Sequence, residues 1–183
     1  MSYTTMYRVD LPDTLTELAE FRNSHGFGPA VWSAVCARFL GDGMNWLLRA
    51  SQPDGGGLWS LWKDPRMPLH WRVALACTFD RVVLDGTRLA EIAGYLRQFA
   101  KETAIAGNAN HLVSIADELD RIEGAFGVVF HATSVSENPW REWVDANECD
   151  DDDGHSITYN FATGDEHFML MEEIDNQATG ASR

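Results

Sequence analysis

From Thr87 to Val135 the chain reads helix, helix, strand, and that order restricts its fold more than any other feature. Leu89, Ile92, Ala93, Leu96 and Phe99 recur at helical spacing as far as Lys101, with Thr87 as N-cap. Gly107 interrupts the pattern. Asn108 caps a second helix with Leu112, Ile115, Ala116, Leu119 and Ile122 facing inward, and Gly124 ends it. Phe126 to Val135 (Phe-Gly-Val-Val-Phe-His-Ala-Thr-Ser-Val) is the strongest strand signal in the sequence.

The flanks extend this reading. The first ten residues alternate as an edge strand. Asp13 caps a short helix from Thr14 to Arg22, with Leu15, Leu18 and Ala19 on one face. Pro29 sits at the first turn of a helix carrying Val31, Trp32, Val35, Cys36, Phe39 and Leu40, which Gly41 stops. Gly43 to Ala50 and Leu58 to Lys63 are short helical turns around Gly55-Gly56-Gly57. Pro68 opens a helix with Leu69, Val73, Ala76 and Cys77 on one face, and Arg81 to Leu84 is a short strand. Ser156 to Phe161 places Ile157, Tyr159 and Phe161 on one side and pairs as a hairpin with His167 to Ile174. The expected class is α+β: a helix-rich middle packed on a small, mostly antiparallel sheet, in one domain over residues 1–175, with 176–183 as a loose tail. A chain of 183 residues, 45% hydrophobic and 11% aromatic, has the apolar surface for that core.

Charge is distributed unevenly. Residues 1–136 carry 15 acidic and 12 basic side chains, whereas 137–183 carry 13 acidic residues against only Arg141 and Arg183. The last quarter thus holds 11 of the 14 excess negative charges, densest at Glu148-Cys149-Asp150-Asp151-Asp152-Asp153. Such a cluster repels nucleic acid and anionic membranes and attracts basic surfaces. Trp140 and Trp143, three residues apart, abut it, and tryptophan is the residue most enriched at binding hot spots. The candidate partner-binding residues are therefore Trp140, Glu142, Trp143, Asp145, Glu148, Asp150, Asp151, Asp152 and Asp153. A solvated acidic loop and tryptophans used for core packing are the plainer alternatives.

Other chemistries find less support. Gly26-Phe27-Gly28 and Gly41-Asp42-Gly43 lack the strand-to-helix context of a phosphate loop. The acidic run is not an EF-hand: with Gly154 sixth, positions one and twelve are Cys149 and Asn160. Ser134 and His131 point to opposite faces of one strand, and no GxSxG elbow occurs. His155 and His167, facing each other across the hairpin beside Asp150–Asp153, leave a His/carboxylate metal site or a small hydrolytic enzyme as the alternative function.

Cys36, Cys77 and Cys149 lack metal or disulfide spacing, Met1–Tyr7 does not resemble a secretory signal, and no window is apolar enough to span a membrane. A cytoplasmic protein without a cofactor is expected. The leading expectation is a non-enzymatic binding or inhibitor protein that engages a basic partner without binding nucleic acid itself. DNA mimics, anti-CRISPR-type inhibitors and immunity proteins rely on the same physics.

Overall fold

The fold comes from a computed structural model, which describes residues 3–10, 14–22, 27–41, 56–79, 82–103, 111–131 and 168–180. Among them, β1 (Tyr3–Asp10), β2 (Thr14–Arg22), β3 (Val82–Asp85), β4 (Gly127–His131) and β5 (Phe168–Met169) form a sheet of order β2-β1-β4-β3-β5. All pairings are antiparallel except β3 with β5. The helices are α1 (Gly28–Val35), α2 (Leu69–Ala76), α3 (Leu89–Thr103), α4 (His111–Leu119) and α5 (Leu170–Thr179), with a π-helical turn at Cys36–Leu40 and a 3-10 turn at Leu61–Lys63. The α+β expectation holds.

The two central stripes behave as their spacing predicts. Leu89, Ile92, Ala93, Leu96 and Phe99 of α3 are buried, as are Leu112, Ile115, Ala116 and Leu119 of α4. They join Met6, Val82, Leu84, Val128 and Phe130 from the sheet in one large core. Helix α3 begins at Leu89 rather than directly after Thr87, whose N–H and hydroxyl both donate to Asp85 Oδ1. β4 is buried along its whole length, as a central strand should be.

Three local expectations are corrected. β1 is not an edge strand, because it pairs with both β2 and β4. Thr14–Arg22 is a strand, not a helix. Its register slips between Met6 and Tyr7, which pair with Ala19 and Glu17, so Leu18 is left without a partner and is exposed. The bulge reverses the side-chain alternation: Leu15 lies on one face of the sheet, whereas Ala19 and Phe21 join the main core on the other. Leu15, Leu18 and Ala19 thereby mimic helical spacing.

The third correction concerns the C-terminus. Only Phe168–Met169 is strand, and it pairs in parallel with β3. The expected hairpin strand becomes helix from Leu170, and the expected loose tail continues that helix through Thr179. Leu170, Met171 and Ile174 bury one face of α5. Glu172 and Glu173 in the first turn suit the helix dipole, and Gly180 (φ 70°) takes the left-handed C-terminal position. Leu, Met and Glu are strong helix formers, which outweighs the alternation read from the sequence.

Candidate functional site

Trp140, Glu142, Trp143, Asp145, Glu148 and Asp150–Asp153 all lie outside the described residues, as do His155, His167, Ser134 and the Ser156–Phe161 arm of the expected hairpin. What the structure defines is how the segment carrying them is attached. It leaves from His131, the last residue of β4, and re-enters at Phe168, the first of β5. Val82 pairs with Phe168 on one side, and its neighbour Val83 pairs with Val129 on the other. The two ends therefore flank β3 at the same end of the sheet, two strand spacings or about 10 Å apart. The 36 residues of 132–167 carry ten acidic side chains and a single arginine, Arg141.

The re-entry point is firmly held. Phe168 stacks on Trp62 with centroids 4.9 Å apart and planes 9° from parallel. Beside it Arg72, buried at 6% exposure, donates from Nε to the Trp62 carbonyl (2.6 Å) and from Nη2 to the Gln177 side-chain oxygen. Gln177 Nε2 donates in turn to Glu173 Oε1 at 3.2 Å. An amide thus links a buried cation to a carboxylate, and the network ties α2, the 3-10 turn and α5 together. Burial pushes the Arg72 guanidinium below its usual range, partly offset by nearby Asp64.

A second polar cluster sits where the π-helical turn, α2 and α3 meet. Glu102 accepts from Arg38, His70 and Trp71 Nε1, the last at 3.2 Å. The Arg38 guanidinium lies 4.6 Å from the Trp71 ring centroid, and Trp71 meets Phe39 and Phe99 edge-on at 5.4 and 4.7 Å. The π-helical turn brings Arg38 and Phe39 to this position; such turns often occur at functional sites. Here the chemistry points to a clamp. Hydrogen bonds from Arg38, His70 and Trp71 hold the Glu102 carboxyl down to about 2. A carboxylate that acidic is a weak base at neutral pH and has no proton to give.

Nothing in the local sequence links Arg38, His70 and Glu102, which stand far apart in the chain. One signal was available: Glu102 falls three residues after Phe99, on the continuation of the buried stripe of α3. From there its carboxylate reaches donors on the π-helical turn and α2.

The described arginines are largely matched by carboxylates, all but Asp175 from outside residues 137–183. Arg8 faces Asp10, Arg66 faces Asp64, Arg88 faces Glu91 and Asp175, Arg97 faces Asp117 and Asp120, and Arg121 faces Glu118. Among the described residues no group of three or more His, Cys, Asp and Glu is placed to hold a metal ion, and no helix is long and apolar enough to cross a membrane. No protein-family model matches the chain, and neither does any curated protein or solved structure.

Proposed function

We propose that this protein is a non-enzymatic binding or inhibitor protein whose acidic C-terminal quarter engages a basic partner. The partner is a cationic protein surface, of the kind that otherwise holds a nucleic-acid backbone; this is the physics of a DNA mimic. The observation that carries the reading is the segregation of charge, with 11 of 14 excess negative charges in residues 137–183. The ion pairs of the body support it, because the arginines engaged by Asp10, Asp64, Glu102, Asp117, Asp120 and Glu118 already have carboxylate partners outside that quarter; Arg88 alone of those paired reaches into it, at Asp175.

The partner surface comprises Glu142, Asp145, Glu148 and Asp150–Asp153, with Trp140 and Trp143 as aromatic anchors. Attachment at two points about 10 Å apart limits the freedom that the segment loses on binding. Co-precipitation from a host lysate at low and high salt tests this. Proteins captured at about 50 mM salt are expected to be basic and to be largely released by about 300 mM, as the screening length shortens. Replacing Asp150–Asp153 with Asn should reduce capture at low salt. Neutral or acidic proteins captured without regard to salt, or no capture at all, would count against the reading.

A further inference from the structure

β2 forms one edge of the sheet and pairs with β1 alone among the described strands. The opposite edge, β5, is only two residues long. β2 has nine residues and spans about 30 Å, and Thr14, Thr16, Glu17, Leu18, Glu20 and Arg22 are exposed along it. An edge strand turns a row of backbone N–H and C=O groups away from its neighbour, ready to pair with another strand. Proline and lysine are common guards of such an edge, and β2 contains neither.

The bulge at Leu18 gives this edge its chemistry. On a regular strand, residues three apart point to opposite faces. Here Glu17 pairs with Tyr7 and Glu20 with Thr5, and Thr5 and Tyr7 are two apart on β1, so both carboxylates stand on one face of the sheet. The spacing of their partners puts them about 7 Å apart along the strand. Among the described residues no cation pairs with either one. Between them, Leu18 is the one large apolar side chain exposed among the described residues, at 37%.

A second copy of the chain suits this edge poorly. Two β2 strands paired antiparallel about their midpoints would gather Glu17 and Glu20 of both copies on one face, four like charges at cross-strand range. The bulge also turns the edge away from flat pairing with its equal. A strand with Lys or Arg at alternate positions meets the same two carboxylates with the opposite charge, because alternate residues share a face and repeat every 7 Å or so. We propose that β2 accepts an extended segment of a partner protein by strand addition, with two basic side chains, two residues apart, facing Glu17 and Glu20. Backbone hydrogen bonds along β2 supply the affinity, and the two carboxylates supply the choice of sequence. The surface uses no residue of the acidic C-terminal quarter, so it stands or falls separately from the role proposed for that quarter.

The test uses the full-length chain and two synthetic peptides, Val-Thr-Lys-Val-Lys-Thr-Val and the same sequence with Glu in place of both Lys. Amide hydrogen exchange is followed residue by residue by nuclear magnetic resonance. With the lysine peptide at ten times its dissociation constant, outward-pointing amides of β2 should exchange about tenfold more slowly. The glutamate peptide should give no protection. In the double variant Glu17→Lys, Glu20→Lys the preference should reverse, whereas replacing Asp150–Asp153 with Asn should leave protection of β2 by the lysine peptide in place. Equal protection by both peptides, protection by neither, or protection lost with the Asp150–Asp153 replacement would overturn the proposal. So would protection of β2 that rises with protein concentration in the absence of peptide, which would identify a second copy as the occupant.

Discussion

The turn between β3 and α3 gives the sharpest stability prediction. A Cβ added at Gly86 would lie 1.9 Å from the Ala125 carbonyl oxygen and 2.7 Å from that of Phe126. Non-bonded carbon and oxygen need more than 3 Å, so the turn and the entry to β4 would have to separate by at least about 1 Å. Both partners are backbone, and no rotamer change relieves the clash. The shift would strain the hydrogen bond from Gly86 N–H to the Phe126 carbonyl (2.9 Å) and the next one, from Phe126 N–H to the Val9 carbonyl (3.0 Å). Overpacking of this kind costs about 1–3 kcal/mol and a weakened hydrogen bond about 1 kcal/mol more. Gly86→Ala is therefore expected to lose about 2–4 kcal/mol. Gly94→Ala is the control: it is the same chemical change at an exposed position of α3, where a Cβ meets nothing within 4 Å. There alanine should gain about 0.5–1 kcal/mol from helix propensity alone. In urea unfolding, Gly86→Ala should lower the midpoint by about 1–2 M at constant slope, and Gly94→Ala should raise it slightly. Equal effects, or a Gly86→Ala midpoint at or above that of the unmodified chain, would refute the close approach of this turn to β4.

Further expectations follow from the polar and apolar contacts. Phe99→Ala removes a fully buried ring packed edge-on against Trp71 and should cost about 3–5 kcal/mol by denaturant titration. Glu102 and Asp64 are each held down to about 2 by hydrogen bonds from their cationic partners, so their stabilising effect is complete above about 4.5 and lost as pH falls toward 2. Glu102→Gln should therefore flatten part of the acid limb of a stability–pH curve while leaving Asp64's part in place. Burial pushes the Cys77 thiol up to about 12, so a thiol reagent at pH 8 should modify Cys77 only after unfolding.

The helices were legible where one periodicity ran uninterrupted. The stripes of α3 and α4 bury the residues that their spacing selects, and Pro29 and Gly41 bracket α1 and its π-helical extension. β2 was not legible, because the bulge at Leu18 breaks the two-residue alternation and leaves a pattern of helical appearance. β1 looked like an edge because its neighbour β4 follows more than a hundred residues later, a pairing that no local pattern announces. The Arg38–His70–Glu102 cluster is likewise a product of tertiary packing. The acidic residues are different: composition alone marks them, and the role proposed for them rests on charge that is visible before any fold is known.

That charge also defines the most direct test. The partner captured at low salt should be purified and its dissociation constant measured against salt, for the unmodified chain and for the variant with Asn at positions 150–153. The account predicts a steep loss of affinity between about 50 and 300 mM for the former and a weaker, flatter curve for the latter. Two superimposable, salt-insensitive curves would contradict it.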